Sequence, residues 1–220
     1  MIALMGLTFG LCGAEEEAKA AFDKWDKELN QVYQKLKVEL QQELFEIVRE
    51  DQKGWVPYRD YMSELQRGDE GVSDEEAQLS LAAGLTESRV KWLRAWLGRD
   101  SESGFEGEYD DGFGGLLQIV KEGEDYFFAL NVVRGPTFHV GDLQGKLRVN
   151  GDTAWFEIQA ESAEKPTWLT FIPKEDGSGR TRVLAENAHF YHGVRAYFEG
   201  NYLRIGKVSA EERKKVIAAE

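Results

Sequence analysis

Apolar positions follow two different rhythms along the chain. From Glu15 to about Gln52, the residues Phe22, Trp25, Leu29, Val32, Tyr33, Leu36, Leu40, Leu44, Ile47 and Val48 succeed one another in steps of three and four, the spacing that lines one face of an α-helix. Lys, Glu and Gln fill the opposite face, and no Gly or Pro intervenes before Gly54 and Pro57. The pattern predicts one long amphipathic helix whose stripe packs into a core. Pro57 has no amide proton and crowds the preceding turn, which predicts a break or kink there and a further short helix from Tyr58 to Leu65. The polar stretch Gln66 to Val72, with Gly68 and Gly71, reads as a loop, and Ser73-Asp74-Glu75-Glu76 reads as a capping box that opens the next helix. That helix is expected to stop at Gly84. Thr86 is expected to cap another, carrying Val90, Trp92, Leu93, Trp96 and Leu97 and ending at Gly98.

From Ser101 the helical spacing disappears, glycines recur, and short β-rich runs alternate with turn residues. Candidate strands are Phe105–Tyr109, Leu116–Lys121, Tyr126–Val132, Thr137–Val140, Gly145–Val149, Ala154–Gln159, Thr167–Ile172, Arg182–Leu184, His189–Tyr191 and Val194–Leu203. Asn150-Gly151 between two alternating runs predicts a hairpin that pairs Lys146–Val149 with Ala154–Glu157. A second turn falls at Asp176-Gly177. So many short strands at close spacing imply an antiparallel barrel or sandwich. Ser209 to Glu220, with another Ser-x-x-Glu start, reads as a short terminal helix or a tail. The fold class is therefore α+β, an N-terminal helical hairpin or bundle (15–100) followed by an antiparallel β-barrel or sandwich (104–205) and a C-terminal segment (206–220).

Composition supports folded domains: 42% of residues are apolar and 12% aromatic, with only 4 Pro, so large cores are available. Charge narrows the partners. The chain holds 27 Lys+Arg against 40 Asp+Glu, a net charge of −13. Both halves are acidic: 13 basic and 21 acidic side chains over 1–103, then 14 and 19 over 104–220. A polyanion without a basic stripe repels phosphate backbones, which excludes nucleic acid as a partner. The first fourteen residues carry no charge before Glu15-Glu16-Glu17, and Cys12-Gly13-Ala14 supplies small residues for cleavage. This is the profile of a cleavable signal peptide over 1–14, too short for stable membrane insertion, and it places the mature protein outside the cell or in the periplasm. Cleavage after Ala14 would also remove the only cysteine, leaving no disulfide or thiolate chemistry.

Few residues point to catalysis. His189 and His192 stand three apart, but the surrounding β pattern sets them on opposite faces or at a strand end, and His139 is remote in sequence. A metal site needs three or four convergent ligands. Asp111-Gly112-Phe113-Gly114-Gly115 and Gly177-Ser178-Gly179 lack the glycine spacing of a phosphate loop and read as turns, and no Gly-x-Ser-x-Gly elbow occurs. No catalytic residue, cofactor site or metal site is assigned, and the chain reads as a non-enzyme.

Two blocks carry a resemblance. Asp26-Lys27-Glu28-Leu29-Asn30-Gln31-Val32-Tyr33-Gln34-Lys35-Leu36 is followed by Gln52-Lys53-Gly54-Trp55-Val56-Pro57-Tyr58-Arg59-Asp60, and Leu85-Thr86 leads to Arg89 and Leu93. Residues 22 to 97 resemble the helical domain of the LprI-type lysozyme inhibitor family, whose pattern runs D-x-E-L-N-x-x-Y-x-x-L, then Q-x-x-W-x-x-Y/F-R-D, then Leu-Thr-x-x-Arg-x-x-x-Leu. Asp26, Glu28, Leu29, Asn30, Tyr33, Leu36, Gln52, Trp55, Tyr58, Arg59 and Asp60 are the matching positions. They are expected to be structural, with Leu29, Trp55 and Tyr58 in the core and Arg59 paired to Asp60, Asp26 or Glu28 across helices. In the second half, the run from Gly193 through Phe198 and Gly200 to Tyr202 is similar to the final strand of β domains found beside such helical modules.

The resemblance implies an exported inhibitor that blocks a lysozyme, or another cationic envelope protein, by protein–protein binding. A lysozyme cleft is itself lined with carboxylates, so a blocking loop should offer a cation or neutral donors. Lys174, Ser178 and Arg180 in the Lys174–Arg180 loop have that make-up, as does Arg134-Gly135-Pro136. Two other classes remain open: a noncatalytic envelope module for peptidoglycan, sugar or another exported protein, and a hydrolase built on the β domain, which would need a pocket of clustered carboxylates or histidines.

Overall fold

The computed structural model describes residues 6–98, 104–161 and 163–218, with side chains from residue 13 onward, and the chain divides into two units, Met1–Leu97 and Gly98–Glu220. The first is a three-helix bundle: α1 spans Gly6–Glu39, α2 Gln42–Glu64 and α3 Asp74–Ala95. Asp26 meets Arg59 and Tyr33 meets Phe45, so α1 and α2 run antiparallel. Arg89 meets Asp51 and Gln78 meets the Glu64 carbonyl, so α3 runs antiparallel to α2 and alongside α1. The three helices close on Leu29, Val32, Leu36, Leu44, Val48, Trp55, Met62, Val90, Trp92, Leu93 and Trp96, all buried.

Three expected boundaries differ. The long helix breaks at Leu40-Gln41, where Gln41 takes an extended conformation with ψ 147°. Glu39 to Gln42 are ordinary helix formers and the apolar steps continue across the break; what separates the helices is tertiary, since folding back brings the Tyr33 and Phe45 rings to 5.3 Å. Pro57 neither ends nor divides α2, which continues through it. The carbonyl deprived of its amide partner belongs to Lys53, beside Gly54, on an exposed part of the helix where water can serve it. Gly84 likewise lies inside a single α3, and Thr86, instead of capping a new helix, donates its hydroxyl to the Ala82 carbonyl at 2.7 Å. Ser73 does cap α3, its Oγ accepting from the Glu76 amide at 3.0 Å.

The second unit is a closed barrel of eight strands, each antiparallel to its neighbour in sequence and sealed by β1 against β8. The strands are β1 Gly107–Asp110, β2 Gly115–Glu122, β3 Asp125–Arg134, β4 His139–Asn150, β5 Thr153–Ile158, β6 Thr167–Pro173, β7 Arg180–Glu186 and β8 Gly200–Gly206. Eight strands enclose a bore that side chains can fill. Here Tyr109, Leu117, Phe128, Leu130, Leu143, Phe156, Leu169, Phe171, Phe198 and Tyr202 fill it. The final helix α4, Ala210–Ala218, lies on the outer wall, where Val216 covers Val120, Phe127 and Ala129. Its start is the Ser-x-x-Glu cap: Ser209 Oγ accepts from the Glu212 amide at 3.2 Å.

Glycines account for most departures in this half. Thr137-Phe138 lie in the turn before β4, and His139-Val140 and Gly145–Val149 are parts of that one strand, because Gly141 and Gly145 are close-approach sites within it and not turns. A Cβ on Gly145 would stand 2.5 Å from the Phe156 ring, and one on Gly141 2.5 Å from His192 Cβ. The Gly151-Asp152 hairpin has the expected register, Val149 opposite Ala154 and Arg148 opposite Trp155, but the ladder stops there and does not reach Lys146 and Glu157. His189–Tyr191 is not a strand: Ala188–Phe190 form a 3₁₀ turn entered through left-handed Asn187. Val194–Glu199 precede β8, which begins only at Gly200. At the other end, β1 starts at Gly107, and Phe105 packs into the barrel core ahead of it.

Because the Phe156 ring occupies the space a side chain would need, Gly145→Ala should destabilise the barrel by about 1–3 kcal/mol through overpacking. Denaturant unfolding read from barrel amide resonances checks this. An unchanged midpoint would show that Phe156 yields without cost.

Candidate functional site

The matching positions in the bundle converge around two guanidinium groups and one indole. Arg89 lies on α3, 1% exposed, and reaches back to α2: its Nη2 donates to Asp51 Oδ1 at 2.6 Å and its Nε to Gln52 Oε1 at 2.9 Å. The guanidinium stacks 4.0 Å from the Trp92 ring centroid and 5.3 Å from that of Trp55. Arg59, one turn beyond Trp55, donates to Asp60 Oδ1 at 2.8 and 2.9 Å and to Asp26 Oδ1 of α1 at 3.3 Å, and stands 5.5 Å from the Trp55 ring centroid. Trp55 thus has a cation near it from each of two helices, an arrangement in which the ring quadrupole offsets part of the cost of burying charge. Asn30 donates to the Asp26 carbonyl at 2.9 Å and its Oδ2 at 3.2 Å, Leu29 is buried, and Tyr33 meets Phe45. Glu28 pairs with Arg94 of α3 and not with Arg59, and Tyr58 is half-buried.

At the end of the bundle where α1 passes the start of α3, carboxylates gather. Ser73 Oγ lies 3.4 Å from Glu15 Oε2, which sets Glu15-Glu16-Glu17 beside Asp74-Glu75-Glu76, with Asp69 and Glu70 in the adjoining loop. Arg67 answers Asp74 at 3.6 Å. Part of this charge has a local reason, since carboxylates in the first turn of α3 complement its helix dipole.

The loop singled out for its cations has a different make-up in space. Ser178 is fully buried and Arg180 only 9% exposed. Arg180 Nη2 donates to Asp176 Oδ2 at 2.9 Å and its Nε to Ser178 Oγ at 3.0 Å, while the Ser178 amide donates to Asp176 Oδ1 at 3.0 Å. Burial opposes ionisation of Asp176, but the Ser178 hydrogen bonds and the Arg180 guanidinium outweigh it and hold the carboxyl below its ordinary range. Ser178 and Arg180 are therefore engaged in shaping the β6–β7 hairpin, and Lys174 is its partly exposed cation.

Arg134 is not a loop cation either. It is 1% exposed at the end of β3 and pairs with Asp111 of the β1–β2 loop through Nη2. Asp111 Oδ1 also accepts from the Phe113 and Gly115 amides, both at 2.8 Å, and Arg134 Nη1 donates to the Phe113 carbonyl at 2.5 Å. Arg134 Nε has no partner among the described residues. Burial disfavours the charge on Arg134, but Asp111 outweighs it, so the guanidinium holds its proton more firmly than usual. Tyr202 lies beside the pair and donates to the Phe198 carbonyl at 3.0 Å. Burial, reinforced by Asp111, raises its phenol well above the ordinary value; burial also raises Tyr109. Sequence reasoning did not connect Asp111 with Arg134, and the signal in reach was the Asp-x-x-Gly-Gly turn itself. The fold brings His139 against Gly193, beside His192; His192 Nδ1 lies 2.9 Å from the Gly193 carbonyl, His189 lies against Phe190 at 4.2 Å between ring centroids, and no group of three or more potential metal ligands occurs among the described residues.

The geometry describes an acidic α+β protein whose internal charges are engaged in holding helices and strands together. Residues 13–93, covering the helical bundle, match the family model described as Lysozyme inhibitor LprI. The match ends before the barrel begins. No curated protein and no solved structure gives a significant match.

Removing the two arginines should rank them by burial. Arg89→Met leaves Asp51 without its inter-helix partner inside the bundle and should cost about 2–4 kcal/mol, whereas the partners of Arg59 are substantially exposed and Arg59→Met should cost about 1 kcal/mol. Denaturant unfolding of the two variants tests this order, and equal losses would refute it. In the barrel, ordinary tyrosines ionise near pH 10 while Tyr202 and Tyr109 stay protonated in the fold. Above that pH the unfolded state has lost protons that the folded state keeps, so stability falls as pH rises. Absorbance titration at 295 nm should show two of the eight tyrosines ionising late, and Tyr202→Phe should remove part of that late amplitude.

Proposed function

We propose that this protein is exported, binds a lysozyme and inhibits it without catalysing a reaction of its own. The observation that carries the reading is the match of residues 13–93 to the lysozyme-inhibitor family. Charge supports it. Many lysozymes are strongly cationic, and a partner of net charge −13 gains association rate by electrostatic steering. The acidic end of the bundle around Glu15, Asp69, Glu70 and Glu75 contributes to that field. In this reading the motif residues from Asp26 to Asp60 build the bundle, and the contact surface lies outside them. Lys174 is the cation of the β6–β7 hairpin available to a carboxylate-lined cleft. Export rests on the uncharged leader; its first five residues lie outside those described, and Gly6–Ala14 form the start of α1. No helix among the described residues is long and apolar enough to cross a membrane.

The deciding experiment is cell-wall lysis by several lysozyme classes, titrated with residues 15–220 at low and physiological salt. Stoichiometric inhibition is expected, with association slowed by salt as screening shortens the reach of surface charge. The triple variant Asp69→Lys, Glu70→Lys, Glu75→Lys should slow association about tenfold at low salt and less at high salt. Lys174→Glu should raise the inhibition constant. Absence of inhibition by folded protein against every class would sink the proposal and leave a noncatalytic envelope-binding module as the reading, with the barrel as its binding part.

A further inference from the structure

The outer wall of the barrel carries a groove between β7, β8 and the segment that leads into β8. It has a volume of about 520 Å³ and is lined by Arg182, Leu184, Tyr197, Glu199, Gly200 and Asn201, a size within the range of small-molecule sites. Its geometry follows from strand register. Arg182 and Asn201 are directly opposite in the β7–β8 ladder, and the next pair is Val183 opposite Gly200. A Cβ on Gly200 would face inward, 3.4 Å from the Tyr202 ring, so Gly200 gives the groove only its backbone, and outward-facing Arg182 and Asn201 form its floor. Tyr197 forms one wall and does not stand alone: the Arg134 guanidinium lies 4.6 Å from its ring centroid. Arg134 is in turn fixed by Asp111. The ring is an aromatic surface braced from within, and it is 45% exposed.

The polar groups of this groove have no work elsewhere. Arg182, Tyr197, Glu199 and Asn201 make no hydrogen bond or ion pair with other side chains among the described residues. One cation, one anion, one amide and one phenol therefore face a common space beside an aromatic ring and Leu184. Each simple ligand class fails one of these groups. An anion attracted to Arg182 would meet Glu199, a cation attracted to Glu199 would meet Arg182, and an apolar ligand would strip water from four polar heads without replacing it. A neutral polyol satisfies all of them. Its hydroxyls both donate and accept, so they can donate to Glu199, accept from Arg182 and do either with Asn201, while a face of C–H groups packs on the ring.

We propose that this groove is a binding site for an uncharged saccharide, with Tyr197 as the stacking surface and Arg182, Glu199 and Asn201 as the hydroxyl-reading groups. The site lies wholly within the barrel, outside the region matched to the inhibitor family, so it stands or falls independently of lysozyme inhibition.

The test is a heteronuclear NMR titration of the full-length ¹⁵N-labelled protein with N,N′,N″-triacetylchitotriose, cellotriose and, separately, inorganic phosphate. Saturable shifts of the Leu184, Gly200 and Asn201 amides with at least one trisaccharide, and none with phosphate, are expected. Arg182→Ala and Asn201→Ala should each weaken binding about fivefold, the effect of one lost hydrogen bond, and Tyr197→Ala about tenfold or more. Because Tyr197 braces against Arg134, its removal could disturb the barrel. The two alanine variants on exposed, internally unpaired side chains decide the question in that event. Phosphate shifting these amides while the sugars do not would make this an anion site and overturn the proposal. So would the absence of any shift, or sugar affinities untouched by all three substitutions.

Discussion

A guanidinium taken out of water must be answered by a carboxylate and by further acceptors, or it would cost more than the fold can supply. Each unit of this protein is arranged around one such group. In the bundle, Arg89 of α3 is met by Asp51 and Gln52 of α2 and is flanked by Trp55 and Trp92. In the barrel, Arg134 of β3 is met by Asp111 from the first hairpin, with Tyr197 over it and Tyr202 beside Asp111. Apolar packing supplies most of the driving force in both units, but it is indifferent to register. A buried fork is not: moving α3 by one residue along α2, or β3 by one residue along β2, would leave charge without a partner. These pairs select the arrangement that the apolar cores stabilise.

What could be read in the sequence follows from the range of the forces involved. The helical character of the first half, the β character of the second, the Ser73 and Ser209 caps, and the register of the Gly151-Asp152 hairpin depend on neighbours a few residues away, and they are legible. The break at Leu40-Gln41 is not, because nothing local forbids a continuous helix; the Tyr33–Phe45 contact that accompanies it forms only after the chain reverses. Pro57 and Gly84 mislead for the opposite reason: each weakens a helix locally, and packing of Trp55, Met62, Ala82 and Val90 on the buried faces overrides it. Gly141 and Gly145 carry the same lesson for strands. Their absence of side chain matters for what approaches them, His192 and Phe156, and neither partner adjoins them in sequence.

The candidate site was legible to a smaller extent. Residue type alone marks Lys174, Ser178 and Arg180 as donors for a partner, and the hairpin engages Ser178 and Arg180 itself. The same inversion holds for Arg134. A cation in a glycine-containing turn looks solvated, and only the fold brings Asp111 to it across 23 residues. The groove on the outer wall has no sequence signature at all, since Arg182, Tyr197 and Asn201 come together only when β7 and β8 are in register.

The barrel joins each strand to the one just made, with a single exception: β1 against β8, from Glu108–Gly206 to Asp110–Leu203. The other pairings join strands adjacent in sequence, across connections of at most the thirteen residues between β7 and β8, and lose less chain entropy than this one, which joins the two ends of the sheet. Folding of the barrel can therefore proceed by pairing each strand with its sequence neighbour, with sealing of the cylinder as its most non-local event. Arg134 bears on that event. Asp111, which follows β1, and Tyr202, which belongs to β8, both sit beside it, so the charge that fixes the native register also marks the seam where the ring closes.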